Sequence, residues 1–181
     1  MNTKYIDLIH QTFDFPQEEF KLNTQQELQF HDIDLMQLIE KYGTPLKLTY
    51  LPKVSENIQL AKKWFNKAMK NHGYKGKYHY SYCTKSSHFK HVLDEALRND
   101  IHLETSSAFD LNIIDSLIAS GSINTKNYII CNGFKRDEYV ANIAKLINSG
   151  YKNCIPIIDN YEEIDLLTEQ TKRKFKIGIR I

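Results

Sequence analysis

The chain has 181 residues, of which 41% are hydrophobic and 25% are charged, and its formal net charge is +2. These values are ordinary for a globular protein and give no excess of positive charge that would indicate a nucleic-acid or anionic-membrane partner. The amino terminus lacks the apolar segment of a signal peptide, and no run approaches the roughly 18 apolar residues that a membrane span needs. The three cysteines lie far apart, which argues against a disulfide framework and predicts a cytoplasmic protein.

Strand and helix patterns alternate along the chain after residues 1–33, which we interpret as an N-terminal leader. The predicted helices carry apolar residues at helical spacing, and most begin at a capping residue or a proline and end near a glycine. They cover 35–42, 52–70, 88–98, 107–119, 137–148 and 160–168. The predicted strands cover 46–51, 77–83, 101–105, 128–131, 154–158 and 175–181.

This alternation predicts an α/β fold whose strands are parallel and covered by helices. A doubly wound sheet is disfavoured because the segment after the first strand, 51–53, has no glycine-rich phosphate-binding loop. We therefore predict that residues 34–181 form part of a (β/α)₈ TIM barrel. Six strands instead of eight, and a last strand without a following turn, predict that the barrel is incomplete and that the chain comes from a longer parent.

The carboxyl ends of the predicted strands carry polar residues, and in barrels this is the end that holds the active site. Lys85 follows the second strand, Glu104 lies in the last two residues of the third and Asn132 follows the fourth. Partial removal of such a lysine from water favours the neutral amine, which can form a Schiff base. Two open alternatives are that Lys85 is an ordinary surface lysine and that the serine or amide residues after the strands only cap helices.

The segments 42–46, which reads Y-G-T-P-L, and 80–85, which reads Y-S-Y-C-T-K, together with 130–135, which reads I-C-N-G-F-K, carry a resemblance. They are similar to fold-type III pyridoxal-phosphate decarboxylases of the alanine-racemase-like type. The opening Y-G-T-P-L and the strand that ends in the cofactor lysine are typical of that superfamily, whereas I-C-N-G-F-K resembles biosynthetic arginine decarboxylases in particular. The matching segments are 42–46, 80–85, 103–111, 130–139 and 177–180.

The resemblance implies that Lys85 is the catalytic lysine and holds pyridoxal 5'-phosphate, with Glu104 beside it. It also implies that Ser107, Asn132 and Arg180 lie near the cofactor. The sequence departs from the family at Ser87, where an asparagine is common, and at Ser106, where a glycine is common. The family's phosphate-binding loop, the acid that pairs with the pyridine nitrogen and the C-terminal β domain are expected to lie outside this chain.

The implied reaction is the decarboxylation of arginine to agmatine and carbon dioxide in polyamine (spermidine) biosynthesis, by a lyase that is a homodimer or a larger homo-oligomer. Decarboxylation of diaminopimelate, ornithine or carboxynorspermidine is an alternative within the same chemistry. A third possibility is an inactive barrel fragment that only carries the cofactor. Seven histidines lack zinc-site spacing, so no metal site is expected.

Overall fold

A computed structural model of the protein describes residues 19–180. These residues divide into two compact units, one ending at Thr49 and the other beginning at Tyr50. The elements of the first unit are β1 (Phe20–Leu22), β2 (Leu28–Phe30), β3 (Ile33–Asp34) and α1 (Leu35–Tyr42). The elements of the second unit are α2 (Pro52–Asn71), β4 (Ser81–Cys83), α3 (Lys90–Leu97), β5 (His102–Thr105), α4 (Ala108–Ala119), β6 (Ile129–Cys131), α5 (Asp137–Asn148), β7 (Cys154–Ile158), α6 (Tyr161–Gln170) and β8 (Gly178–Ile179).

The first unit is a small antiparallel sheet, β1-β2-β3, followed by a helix. Asp34 caps α1 by accepting a hydrogen bond from the Met36 N–H at 2.9 Å, and Gly43 ends the helix with a φ of 78°. The predicted helix and both of its boundary signals are therefore confirmed. β1 and β2 fall within the predicted leader 1–33 and β3 begins at its last residue, although the sequence indicated no element there. The first 18 residues of the leader lie outside the described part of the chain.

The predicted strand at 46–51 is wrong, because these residues have no regular secondary structure. Leu46 and Leu48 alternate with polar residues, and this pattern is typical of a strand with one buried face. In the structure Leu46 and Leu48 instead line an apolar groove of about 300 Å³, whose other lining residues come from β1, β2 and α1. Leu46 and Leu48 thus face this groove, where Leu48 remains 42% exposed, and do not belong to a strand.

The second unit is built on five parallel strands in the order β4-β5-β6-β7-β8, with a helix between each consecutive pair. Sequence neighbours are spatial neighbours throughout, whereas a doubly wound sheet would reverse its strand order. The described sheet is therefore part of a TIM barrel, as the sequence predicts. The five strands coincide with the last five predicted, although all but β7 are shorter than predicted.

Burial alternates along these strands and locates the core. Leu103, Thr105, Ile129 and Cys131 are each fully buried, whereas the residues between them are half-buried. The buried side packs on the apolar faces of α3 to α6, including Ile114, Ile143 and Leu167. The half-buried side is the opposite face of the sheet, which in a barrel lines the interior.

Residues 19–180 offer neither a membrane span nor a metal cluster. None of the helices in that range is both long enough and apolar enough to cross a bilayer. No group of three or more histidine, cysteine or acidic side chains that could hold a metal ion is found in the same range.

A histidine pair lies at the amino-terminal edge of the parallel sheet. The His79 Nδ1 and His102 Nε2 atoms are 2.8 Å apart, and the Tyr128 backbone N–H donates to His102 Nδ1 at 3.1 Å. Because Nδ1 accepts this bond, the neutral His102 ring carries its proton on Nε2 and donates it to His79. Burial lowers the pKa of His102, and the neighbouring His79 lowers that pKa further.

We predict that the free energy of unfolding falls as the pH drops below about 6.5, the ordinary histidine pKa. A histidine whose pKa is lowered in the fold binds a proton more readily in the unfolded chain, so protonation favours unfolding. Urea unfolding at pH 7.5 and pH 5.5 measures this loss. His102→Asn, which keeps an acceptor for the Tyr128 N–H, should reduce the pH dependence, whereas His72→Gln at an exposed helix end should not. An unchanged pH dependence in His102→Asn would contradict the prediction.

Candidate active site

Parallel pairing brings the carboxyl ends of β4, β5 and β6 to the same level. Cys83 pairs with Glu104 and Thr105 pairs with Cys131 in the sheet register. Beyond the last paired residue of β4, the buried Thr84 donates from its backbone N–H and from its hydroxyl to the Glu104 carbonyl oxygen, at 3.0 Å each. Lys85 comes next, inside a turn closed by the Ser86 N–H and the Cys83 carbonyl at 3.1 Å. The backbone of Lys85 is thus fixed beside the end of β5.

Lys85 itself is exposed, so the partial removal from water that the sequence suggested is not observed. The physical reason is that the described sheet has five parallel strands and is open, so its concave side is not enclosed. No ion pair to Lys85 occurs within residues 19–180, and its amine is accessible from solvent.

Glu104 and Asn132 are brought together across the neighbouring strand ends. The Asn132 Nδ2 donates to Glu104 Oε1 at 3.2 Å, and both residues are half-buried. Asn132 is itself fixed on both sides, because its N–H donates to the Thr105 carbonyl at 2.9 Å and its Oδ1 accepts from the Gly133 N–H at 2.9 Å. The carboxylate is therefore held by an amide that has little freedom to move.

The hydroxyl groups of Tyr139 and Thr105 form a hydrogen-bonded pair that contacts the backbone of Asn132. The Tyr139 hydroxyl donates to the Asn132 carbonyl at 3.0 Å and lies 2.9 Å from the Thr105 hydroxyl, which must then donate to it. Burial raises the pKa of Tyr139 well above its usual range. The phenol is consequently protonated and acts as the donor in its bond to the Asn132 carbonyl.

Ser107 has a structural role in the described residues. Its hydroxyl oxygen caps α4 by accepting from the Asp110 N–H at 3.3 Å, as the alternative interpretation of the sequence held. The buried Asp110 carboxylate in turn accepts from the Ser106 N–H at 2.8 Å and from the Ser106 hydroxyl at 3.2 Å. These contacts order the loop after β5, whereas a role of Ser107 in cofactor binding stays a prediction.

Arg180 lies at the same edge of the sheet, after β8. Its N–H donates to the Ile158 carbonyl at 3.2 Å, and its guanidinium, 63% exposed, is 3.9 Å from the Asp159 carboxylate. None of the interactions found among residues 19–180 joins Arg180 to Glu104 or Asn132. The strand register places all of these residues at one edge, but their contacts form separate groups.

Sequence reasoning missed the buried ion pair between Lys135 and Glu163, whose side chains are 0% and 2% exposed. The Lys135 Nζ is 3.1 Å from Glu163 Oε2, donates to the Gly133 carbonyl at 3.0 Å and also donates to the Ile157 carbonyl. The spacing Asn160-x-x-Glu163 is that of a capping box, and the Glu163 N–H does donate to Asn160 Oδ1 at 3.1 Å. That spacing could have identified Glu163 as a residue of the helix cap. No local sequence pattern, however, identifies Lys135 as a buried lysine.

Gly133 allows two loops of the site to approach closely. Its φ is +80°, and a Cβ at this position would lie 2.8 Å from the Ser106 carbonyl oxygen. The loop after β6 therefore contacts the backbone of the loop after β5 through a residue that has no side chain. This contact explains why glycine occupies the middle of the I-C-N-G-F-K segment.

Comparison with solved structures identifies the class of fold. A diaminopimelate decarboxylase from M. jannaschi superposes with a TM-score of 0.72 at 19% identity, over 91% of this chain and 36% of that one. The biosynthetic arginine decarboxylase of Campylobacter jejuni gives 0.65 at 20% identity, over 90% of this chain and 29% of that one. The fold is therefore that of the fold-type III decarboxylase barrel, present here in part.

Comparison with curated sequences identifies the relatives. The chain is 28% identical to an arginine decarboxylase of Glycine max over 167 residues, which are 82% of this chain and 24% of that protein. It is 26% identical to the biosynthetic arginine decarboxylase of Rhodopirellula baltica over 157 residues, which are 82% of this chain and 22% of that protein. No family model matches the chain. The resemblance to arginine decarboxylases is thus confirmed, and the chain spans about a quarter of the length of these relatives.

We predict that Gly133→Ala destabilises the protein more than Gly121→Ala does. Both glycines have a positive φ, so both variants carry the strain of a left-handed alanine, but a Cβ at Gly121 would meet no atom within 4 Å. The added clash at Gly133 should cost roughly 1 to 3 kcal/mol more, as overpacking usually does. Urea unfolding of the two variants measures the difference, and equal losses would show that the loops do not make this contact.

Proposed function

We propose that this chain carries the cofactor-binding lysine of a pyridoxal-phosphate-dependent arginine decarboxylase. The observation that supports the proposal is the position of Lys85, two residues after the parallel strand β4, whose neighbour β5 carries near its end a carboxylate held by an amide. A lysine and an acid at the carboxyl-terminal edge of a barrel are suited to hold an aldehyde cofactor. The resemblance to arginine decarboxylases over about four-fifths of the chain supports the choice of substrate.

The residues present fit the reactive end of the cofactor. Lys85 offers an accessible amine without an ion-pair partner in the described part of the chain, and such an amine can bond to an aldehyde carbon. Glu104 has one carboxylate oxygen bonded to Asn132, and its second oxygen accepts no hydrogen bond from residues 19–180. That second oxygen is available to orient a bound group or the Lys85 amine.

Each residue then has a defined task in the proposed reaction. When bound, pyridoxal phosphate supplies a ring that takes up the electron pair left as carbon dioxide departs. Lys85 would hold the cofactor through its amine, and would be released when the substrate amine replaces it. Glu104 orients the reacting groups, Asn132 holds Glu104, and Ser107 and Arg180 lie at the same edge as further candidates for cofactor contact. The product of arginine would be agmatine, within polyamine biosynthesis in the cytoplasm.

The complete protein is proposed to work as a homodimer or a larger homo-oligomer, as the resemblance implies. Diaminopimelate, ornithine and carboxynorspermidine remain alternative substrates, because Ser87 and Ser106 depart from the arginine decarboxylase pattern next to Lys85 and Glu104. A cofactor-carrying fragment without turnover is the remaining alternative for the 181-residue chain itself.

Mixing the chain with pyridoxal phosphate should produce the absorbance band of a cofactor bound to a lysine amine. Lys85→Ala should lose this band because the reacting amine is gone. Lys90→Ala should keep it, since Lys90 is an exposed lysine of the next helix that pairs with Asp94. If the band in Lys85→Ala persists and becomes fixed by borohydride, another lysine holds the cofactor and the proposal fails.

Decarboxylation assays with each amino acid separate the candidate substrates. We expect negligible turnover by the 181-residue chain, because it spans about a quarter of its relatives, and turnover of arginine by a complete parent protein. Robust turnover by the chain alone would contradict the first expectation. A parent that turns over diaminopimelate but not arginine would reject the substrate assignment while leaving the lysine in place.

A further inference from the structure

A continuous chain of hydrogen bonds leads from the buried ion pair to the candidate active site. Lys135 Nζ donates to the carbonyl of Gly133 at 3.0 Å, and the N–H of that same Gly133 donates to Asn132 Oδ1 at 2.9 Å. The other end of the Asn132 side chain donates to Glu104 at 3.2 Å. A single residue, Gly133, therefore connects the buried ammonium group to the amide that holds the carboxylate.

The ammonium group also ties the loop after β6 to the neighbouring strand and helix. Besides Gly133 it contacts the Ile157 carbonyl in β7 and the Glu163 carboxylate in the first turn of α6. Glu163 completes the connection by accepting from the Lys135 N–H at 3.1 Å and from the Asp159 N–H at 3.0 Å. The hydrogen bonds of Lys135 and Glu163 thus connect the loop after β6 with the end of β7 and the start of α6.

Stability alone is a poor explanation for such a pair. Well-packed apolar residues of similar volume often replace a buried ion pair without loss of stability, because the charges must first be removed from water. Apolar residues, however, impose no direction on the carbonyl of Gly133. The need that they cannot meet is a fixed orientation of the Gly133–Phe134 peptide, which directly follows the peptide whose N–H holds the Asn132 side chain.

We propose that Lys135, paired with Glu163, is a positioning residue that fixes Asn132 and, through Asn132, the carboxylate of Glu104. The purpose of this arrangement, a fixed acid beside Lys85, rests on the proposed function. The positioning itself does not, because it depends only on contacts within the chain. Lys135 touches neither Lys85 nor Glu104 and acts through the loop after β6.

Nuclear magnetic resonance of the full 181-residue chain tests the positioning without any cofactor. The side-chain amide of Asn132 gives a resonance that reports its hydrogen bond to Glu104. In Lys135→Met we expect this resonance to move toward that of a solvated amide and its exchange with water to accelerate by about tenfold or more, because local opening governs exchange. Lys145→Met is the matched control, because Lys145 lies on α5, the helix that follows the loop, and loses only an exposed ion pair with Asp115 of α4.

A second variant covers the case in which Lys135→Met fails to fold. Lys135→Met combined with Glu163→Gln leaves no charge buried alone and keeps an acceptor at position 163. Backbone amide signals of β5 and β7 establish that the variant is folded. A wild-type Asn132 resonance in this folded double variant, or an equal change in Lys145→Met, overturns the proposal.

Cofactor binding distinguishes this inference from the proposed function. If the wild-type chain binds pyridoxal phosphate, Asn132→Ala should weaken binding, and adding Lys135→Met to it should weaken binding little further, because both changes release the same carboxylate. Fully additive losses would contradict a shared path through Asn132. If the wild-type chain binds no cofactor while Lys135→Met still loosens Asn132, the proposed function fails and the positioning inference stands.

Discussion

Parallel pairing of β4 with β5, continued by the bonds from Thr84 to the Glu104 carbonyl, is the constraint on which the candidate site depends. The lysine, the acid and the amide are separated from one another by about 20 to 30 residues in the sequence. Only the parallel, in-register pairing of their strands brings the three side chains to one edge of the sheet. Because each strand is followed by a helix that covers one face, the opposite face stays free for chemistry. The site is therefore a consequence of register rather than of any local motif.

Beneath this edge the fold buries polar groups that must all be satisfied. Tyr139 and Thr105 form one such group and Lys135 with Glu163 forms another. Burying an unpaired hydroxyl or, still more, an unpaired charge costs free energy, so these groups persist only because each has hydrogen-bond partners. Both groups donate a hydrogen bond to a backbone carbonyl of the loop that carries Asn132. The common result is that directed hydrogen bonds hold this loop, and a prearranged carboxylate needs such support.

The sequence predicted the repeated strand–helix alternation, because apolar runs and helical spacing are local signals. It failed at 46–51, where Leu46 and Leu48 line a groove beside a small antiparallel sheet, since an alternating pattern does not specify the partner of the apolar face. It also missed that sheet itself, whose short strands carry little periodicity. The positions of Lys85, Glu104 and Asn132 at strand ends could be predicted from order alone. The burial of Lys135 could not, because it depends on a glutamate 28 residues away.

The most direct test of the central claim is to find which lysine bonds to the cofactor. The 181-residue chain is incubated with pyridoxal phosphate, reduced with borohydride, digested and analysed by tandem mass spectrometry. We predict that the pyridoxyl group is found predominantly on the peptide containing Lys85, at a cofactor concentration that leaves Lys90 and other exposed lysines unmodified. Modification spread evenly over the exposed lysines, with none favoured, would contradict the account.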